Sequence, residues 1–119
     1  MSSLILVVDD ERALTGVMAD LLGDEGYTVR EAHDGLDAFE LALRESPDLV
    51  LSDVQLPRLD GLALVGQLRA AGRAIPVVLM SAINIEVNIP GVRFVLKPFD
   101  LDHLLAIVRE GLSTGASTW

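Results

Sequence analysis

Five short apolar runs along the chain predict the strands of a sheet. They cover residues 4–8, 27–32, 49–52, 77–80 and 92–96. Most of these runs are almost continuously apolar, which is typical of strands that are buried on both faces of a parallel sheet. The run at 27–32 instead alternates between apolar and polar residues, so it suits a strand nearer an edge.

The segments that follow the strands show a different period and predict helices. Their apolar residues recur three and four positions apart, which places them on one face of a helix. These residues are Leu14, Val17, Met18, Leu21 and Leu22; Leu36, Phe39 and Leu43; Leu64, Val65 and Leu68; and Leu101, Leu104, Leu105, Val108 and Leu112. Strands that alternate with helices predict an α/β domain, in which helices cover both faces of a doubly wound, five-stranded parallel sheet.

The connection between the fourth and fifth runs breaks this alternation. Residues 82–91 must contain the whole crossover, and a crossover that includes a helix takes at least about 10–12 residues. The apolar residues at 83, 85, 87 and 89 alternate with polar ones, and Pro90 with Gly91 then interrupts any regular element. We predict a shortened helix or an extended segment, which packs on the body of the domain or offers a pairing edge to another chain.

Composition limits the classes of protein that fit this pattern. The chain has 119 residues, no Cys, and 18 Asp and Glu against 9 Lys and Arg, for a formal net charge of -9. That length suits one domain, and the missing thiols exclude disulfides and Cys-ligated metals. So acidic a chain is poorly suited to bind nucleic acid or an anionic membrane directly.

The sequence was also examined for membrane spans, a signal peptide and linkers. No apolar run approaches the roughly 20 residues of a membrane span, and the first residues lack the basic start of a signal peptide. The last residues are rich in Gly, Ser and Thr, which is typical of a linker. We therefore expect a soluble, cytoplasmic domain at 1–112, followed at 113–119 by a tail or the start of a linker.

Charged and hydroxyl side chains follow the predicted strands where each strand ends. They are Asp9, Asp10 and Glu11 after the first strand, Asp53 after the third, Ser81 after the fourth and Lys97 after the fifth. In a parallel sheet these ends share one edge, where neighbouring carboxylates repel and a hard cation such as Mg²⁺ relieves the repulsion. One carboxylate can then attack phosphorus, while Lys97 and Ser81 hold the transferred oxygens.

Taken singly, each of these residues also has a plain structural explanation. The acids after the first strand suit a helix N-terminus, Asp53 and Ser81 suit turns or caps, and Lys97 suits a solvated surface. It is their joint placement at successive strand ends that favours a functional site.

Four segments at these strand ends give the chain its resemblance to a known family. They are residues 7–11 (VVDDE), 53–61 (DVQLPRLDG), 80–82 (MSA) and 94–99 (FVLKPF). In this order the chain resembles a response-regulator receiver domain of two-component signalling, from residue 4 to about 112. The resemblance implies a flavodoxin-like strand order of 2-1-3-4-5.

The resemblance also implies a metal site and a phosphoacceptor. Asp53 matches the phosphoacceptor position. Asp10 matches the more direct Mg²⁺ ligand of the acidic pair, and Asp9 matches the one that acts largely through water. Gln55 matches the position whose backbone carbonyl also binds the metal.

Three further matches concern the phosphoryl group and the switch. Ser81 and Lys97 match the hydroxyl and amine that contact the phosphoryl group, and Ser81 with Phe94 matches the pair that changes on activation. The peptide between Lys97 and Pro98 matches one that is usually cis in the family. The implied domain takes a phosphoryl group from a histidine kinase or phosphotransfer protein, and then switches its surface for an output domain or partner protein. Such a domain is not a turnover enzyme, since it catalyses only its own Mg²⁺-dependent phosphorylation and dephosphorylation.

Two departures and two rival functions accompany this resemblance. The family usually has a full helix where residues 82–91 look extended, and Ile83 occupies a position near the attacking water, which predicts slow self-hydrolysis because Ile forms no side-chain hydrogen bond. One rival is a haloacid-dehalogenase-like phosphatase. In such a phosphatase the nucleophilic Asp would end the first strand, whereas the isolated Asp of this chain, Asp53, follows the third. The other rival is a receiver-like binding module that signals without phosphorylation.

Overall fold

The computed structural model describes residues 2–114 and residue 119, and it shows alternating strands and helices. The elements are β1 (Leu4–Val8), α1 (Arg12–Asp24), β2 (Thr28–Ala32), α2 (Gly35–Glu45), β3 (Leu49–Asp53), α3 (Gly61–Ala70), β4 (Val77–Ser81), β5 (Val92–Leu96) and α4 (Leu101–Thr114). Each predicted apolar run forms a strand, with bounds that differ from the prediction by at most one residue.

The strands form one parallel sheet in the order β2-β1-β3-β4-β5. Leu6 of β1, for example, lies opposite Arg30 of β2 on one side and Val50 of β3 on the other. The predicted order is confirmed, and so is the edge position of the alternating second strand. Because the chain reverses its winding between β1 and β3, the ends of these two strands flank the crevice in which such sheets bind ligands.

Apolar side chains on the two faces of the sheet build two core layers. Leu6 and Val8 of β1 face a cluster that contains residues of α2 and α3, whereas Ile5 and Val7 face a cluster with residues of α1 and α4. A strand that is buried on both faces needs apolar residues at every position, which explains the continuous runs in the sequence. The sheet therefore holds the strand ends rigidly in place.

Three apolar residues of the predicted helix faces are exposed, contrary to expectation. Val17 is 55% exposed, Leu36 is 39% exposed and Leu101 is 43% exposed. Val17 lies about 100° around α1 from the buried Met18, so it falls on the flank of the helix. Leu36 and Leu101 lie in the first turns of α2 and α4.

The β4–β5 connection, residues 82–91, contains neither helix nor strand, and its side chains alternate between half-buried and exposed from 85 to 89, in line with the period-two pattern. Its side chains at 85, 87 and 89 pack against the cluster that also holds α2 and α3. Arg69 of α3 donates hydrogen bonds to the carbonyl oxygens of Ile75 at 2.9 Å and Pro90 at 3.4 Å. These bonds tie the end of the connection to α3.

At the C-terminal end, α4 extends to Thr114, two residues beyond the expected domain boundary at 112. The Trp119 side chain packs against the α1 and α4 cluster, and its indole N–H donates to Glu110 Oε1 at 3.0 Å. Residues 115–118 of the expected tail lie outside the described residues. No helix in the described part of the chain is both long and apolar enough to cross a membrane.

Candidate functional site

Three charged side chains from three strand ends meet at the carboxyl edge of the sheet. Lys97 Nζ, just after β5, lies 2.8 Å from Asp53 Oδ2 at the end of β3. The same nitrogen lies 3.4 Å from Asp9 Oδ2, just after β1. The sheet thus brings together residues that are 44 and 88 positions apart in sequence, as the strand-end argument predicted.

A repeated local turn orients the polar side chains at these strand ends. Asp9 Oδ1 accepts a hydrogen bond from the backbone N–H of Glu11 at 3.0 Å. Asp53 Oδ1 accepts one from Gln55 N–H at 3.1 Å, and Ser81 Oγ accepts one from Ile83 N–H at 3.0 Å. These donors were not predicted from the sequence, although short polar side chains commonly accept from the N–H two residues on.

Both carboxylates of the site are buried. Asp9 is 1% exposed and Asp53 is 8% exposed. Burial raises the pKa of Asp9 above its ordinary value, and the Glu11 N–H and the charge of Lys97 offset this only in part. With Lys97 as their shared partner, the two ionised carboxylates leave an excess charge of about one negative unit.

Lys97 is held in its charged form by the same contacts. Burial lowers the pKa of its ammonium group, but the hydrogen bond to Asp53 and the charges of Asp53 and Asp9 outweigh that effect. The pKa of Lys97 therefore lies above its ordinary value, and the ammonium group carries a full charge at neutral pH. A fixed cation at this position can balance negative charge that develops on either carboxylate.

The loop after β3 closes tightly against the backbone of Asp53. A Cβ atom on Gly61 would lie only 2.4 Å from the Asp53 carbonyl oxygen, so this approach requires glycine. Gly61 N–H donates to the Val54 carbonyl at 2.7 Å, and Asp60 caps α3 by accepting from Ala63 N–H at 2.7 Å. These contacts fix the position from which the Asp53 side chain projects.

The two predicted switch residues lie on neighbouring strands. Ser81 is fully buried, and its carbonyl accepts from Lys97 N–H at 2.8 Å. Phe94 is half-buried, lies opposite Leu79 of β4 and packs against the α2 and α3 cluster. The Lys97–Pro98 peptide bond is cis.

Two of the predicted metal ligands, Asp10 and Gln55, are exposed, although the Gln55 N–H donates to Asp53 Oδ1. Across residues 2–114 and 119, no group of three or more His, Cys, Asp or Glu side chains is placed to hold a metal ion. The histidines are elsewhere: His33 lies 3.2 Å from Thr15 Oγ1, and His103 is exposed on α4.

An apolar hollow of about 390 Å³ opens beside Lys97. Its lining comes from α1, from the start of the β4–β5 connection and from the turn into α4. The lining residues are Leu14, Ala82, Lys97, Pro98, Phe99 and Leu101. A partner that reaches the site from this side would therefore meet an apolar surface next to a half-buried cation.

The sequence of the chain is similar to those of known proteins. The family description of the response regulator receiver domain matches residues 5–109. The response regulator MprA of Mycobacterium ulcerans (strain Agy99) is 40% identical over 115 residues, which cover 92% of this chain and 50% of that protein. MprA of Mycobacterium leprae (strain TN) is 38% identical over 111 residues, or 88% of this chain and 49% of that protein. The chain spans about half the length of these curated relatives.

Solved structures give the same result. The receiver domain of the hybrid histidine kinase CckA is 37% identical, with a TM-score of 0.80 over 92% of this chain and 98% of that chain. The receiver domain of the sensor histidine kinase PA1611 from Pseudomonas aeruginosa PAO1 is 27% identical, with a TM-score of 0.84 over 96% of this chain and 100% of that chain. The latter structure has a magnesium ion coordinated in its active site cleft.

Proposed function

The chain belongs to the family of response regulator receiver domains, and on that premise we propose that it accepts a phosphoryl group on Asp53. The observation that carries this proposal is the pairing of Lys97 Nζ with Asp53 Oδ2 at 2.8 Å at the end of a fully buried strand. A buried carboxylate beside a fixed ammonium group is an oriented nucleophile with a charge partner for the incoming phosphoryl oxygens. As in the family, the role is signalling rather than turnover of an external substrate.

The donor set of the site fits Mg²⁺. Asp9 and Asp53 supply hard oxygen atoms, and together they exceed the charge of Lys97 by about one unit. We propose that the Asp10 carboxylate and the Gln55 carbonyl complete the set, which requires the exposed Asp10 side chain to turn toward Asp9. When bound, Mg²⁺ would neutralise charge on the transferred phosphoryl group.

The chain's own residues then carry the transfer. An Asp53 carboxylate oxygen attacks the phosphorus of a phosphohistidine, the P–N bond breaks and a P–O bond to Asp53 forms. Lys97 stays hydrogen-bonded at the site and balances the charge of the transferred oxygens. The Gln55 N–H holds the Asp53 carboxylate in orientation during the attack.

The acyl phosphate would act on the surface through Ser81. The Ser81 oxygen already accepts from Ile83 N–H, so its own hydrogen remains available to donate to a phosphoryl oxygen. Movement of Ser81 toward Asp53 would pull on the start of the β4–β5 connection and let Phe94 turn inward. Ile83 is 60% exposed and has no polar side-chain atom to orient water, so we expect slow self-hydrolysis of the phosphorylated chain.

The partners follow from the reaction. A histidine kinase or a phosphotransfer protein supplies the phosphohistidine, and the apolar hollow beside Lys97 gives it a docking surface next to the nucleophile. The curated relatives are about twice as long as this chain, so an output domain or a separate output protein would read the switch. We place this exchange in the cytoplasm, without direct contact of this domain with nucleic acid or membrane.

Labelling with a small phosphodonor tests the proposal. The chain is incubated with acetyl phosphate and Mg²⁺, and intact mass reports the added phosphoryl group. We expect labelling of the unmodified chain and of Asp20→Ala, which removes an exposed carboxylate from α1, but none of Asp53→Ala or of samples with excess chelator. Undiminished labelling of Asp53→Ala would refute the assignment.

One observation favours a second function, a receiver-like binding module that works without phosphorylation. Among the residues that the structure describes, the carboxylates do not converge into a group of three. Beryllofluoride with Mg²⁺ distinguishes the two functions by amide NMR. Shifts at Ser81 and Lys97 support the phosphoacceptor, and an unchanged spectrum supports the binding module.

A further inference from the structure

The backbone of residues 84–88 has no hydrogen-bond partner within residues 2–114 and 119. The flanking residues are held: Ile83 N–H donates to Ser81 Oγ, and the Ile89 carbonyl accepts from Val92 N–H at 3.1 Å. Between these anchors the chain is neither helix nor strand, and half-buried side chains at 85, 87 and 89 alternate with exposed ones at 84, 86 and 88. The segment has the alternation of a β-strand but lacks a neighbouring strand.

The position of the segment leaves it open to another chain. It connects β4 to β5, which is the edge strand of the sheet, and it packs on the face that also carries α2 and α3. Ile83 at its start is 60% exposed, more than any other large apolar side chain among the described residues. Extended backbone with unpaired N–H and C=O groups at the margin of a sheet is a template for strand addition.

The sequence of the segment identifies what pairs with it. Residues 83–89 read Ile-Asn-Ile-Glu-Val-Asn-Ile, which is the same in both directions around Glu86 except that Ile85 corresponds to Val87, another β-branched apolar residue. An interface between two identical chains with two-fold symmetry must match itself, and an antiparallel strand pair has such an axis. Pairing around Glu86 would set 83 against 89, 84 against 88 and 85 against 87, so that apolar faces apolar and Asn faces Asn.

We propose that residues 83–89 pair antiparallel with the same segment of a second copy of this chain, around a two-fold axis at Glu86. The ladder supplies partners for the free backbone groups at 84–88 and covers the exposed Ile83 with Ile89 of the other copy. The proposal concerns an interaction surface, and it does not depend on phosphorylation of Asp53.

Glu86 sets the strength of this pairing. Its two copies lie directly opposite each other on the axis, where like charges are destabilising. A single short ladder also covers much less surface than the roughly 1,200–2,000 Å² of a stable interface. We therefore expect a weak, reversible dimer, whose dissociation constant falls about two- to fivefold in Glu86→Gln.

Cysteine crosslinking tests the register, because the native chain has no Cys. Residues that face each other in an antiparallel pair have Cα atoms about 4.5–5.5 Å apart, within the range of a disulfide. Glu86→Cys should therefore crosslink to itself under mild oxidation. Asn84→Cys alone and Asn88→Cys alone should not, since each lies about 13 Å from its own copy, but a mixture of the two should form the mixed dimer.

The three positions are exposed, so thermal unfolding of each variant should match that of the native chain and exclude misfolding as a cause. Crosslinking of Asn84→Cys to itself as readily as to Asn88→Cys would overturn the proposed register. A monomer in sedimentation equilibrium at up to about 1 mM would overturn the dimer itself. Protection of 84–88 from hydrogen exchange by another protein, with none on concentrating the chain, would likewise overturn it.

Discussion

The strand-end site and the β4–β5 connection meet at Ser81 but are stabilised in different ways. In the site, Asp9, Asp53 and Lys97 are linked by hydrogen bonds and ion pairs, and nearby N–H groups satisfy the remaining oxygens. In the connection, residues 84–88 have side-chain packing on one face and no hydrogen bond within the described residues. Hydrogen bonds and ion pairs thus hold the site residues in place, whereas within the connection residues 84–88 are held by apolar side-chain contacts alone.

This difference has a physical origin in burial. In the described part of the chain, no buried side-chain nitrogen or oxygen lacks a hydrogen-bond partner. The site must meet that condition because an unpaired buried polar group costs about 1–3 kcal/mol. The connection avoids the cost by staying at the surface, where water hydrates its backbone. It is consequently free to change partners, while the site is not.

The largest expected difference is in hydrogen exchange. Amides of β3, which is paired on both sides, should exchange only through global unfolding, which slows them by at least about 10⁴-fold. Amides of 84–88 should exchange within about tenfold of the unstructured rate, because nothing in the described structure accepts their hydrogen bonds. NMR exchange in dilute protein, where chains do not pair, measures both. Strong protection at 84–88 in dilute protein would contradict the comparison.

Substitution of Gly61 should destabilise the loop that positions Asp53 in the site. The Cβ atom of Gly61→Ala would lie 2.4 Å from the Asp53 carbonyl oxygen and 2.9 Å from Val54 Cα. Because both atoms belong to the backbone, we expect a loss of roughly 3 kcal/mol in the free energy of unfolding. Urea denaturation followed by circular dichroism measures this loss.

Gly66→Ala is the matched control in the same helix. A Cβ atom there meets nothing within 4 Å, so helix propensity alone should stabilise the protein by about 0.5–1 kcal/mol. Equal losses in the two variants would show that the tight approach at Gly61 is not what holds the loop.

The sequence predicted most of this architecture because burial leaves a direct signal in it. The run at 4–8 forms β1 with the predicted bounds, and its continuous apolar character reflects core layers on both faces. The absence of a helix from the connection was predictable because period two is incompatible with a helix over 82–91. Val17, in contrast, has the spacing of a buried helix face but is exposed. Spacing alone does not distinguish the flank of such a face from its centre.

The sequence predicted which residues form the candidate site, but not which of their atoms contact each other. Parallel strands bring Asp9, Asp53 and Lys97 to one edge, which follows from topology alone. Nothing in the sequence indicates that Lys97 bridges both carboxylates, because the direction of a long flexible side chain depends on the final packing. The free backbone at 84–88 was equally hidden, since a sequence pattern shows side-chain periodicity and not hydrogen bonds.

Neutralising Asp9 should change how the stability of the protein depends on pH. Burial raises the pKa of Asp9 in the folded chain, so its ionised form opposes folding at neutral pH. The stability that Asp9 contributes is fully present below about pH 3.9, the ordinary pKa of an aspartate, and is lost as pH rises through the folded-state pKa. Asp9→Asn has no such loss, and Lys97 keeps its 2.8 Å contact with Asp53.

We therefore expect Asp9→Asn to be more stable than the native chain at pH 7, by on the order of 1 kcal/mol, in metal-free buffer with chelator. The advantage should shrink as the pH falls and vanish below about pH 3.9. Thermal unfolding of both chains across this pH range measures the difference. An advantage that grows toward low pH would have the wrong sign and would contradict the assigned cause.

The smallest expected effect compares one methylene group in each region. Ile5 of β1 is fully buried in the core layer under α1 and α4, so Ile5→Val should cost about 1 kcal/mol in the free energy of unfolding. Ile85 packs on the same body but is half-buried and belongs to a segment that can settle into the vacated space, so Ile85→Val should cost less than about 0.5 kcal/mol. Paired urea titrations on the two variants resolve this difference. Equal costs would mean that the connection is packed as rigidly as the sheet, despite the hydrogen bonds that residues 84–88 lack. Pairing of this segment with another chain would then require that packing to be broken.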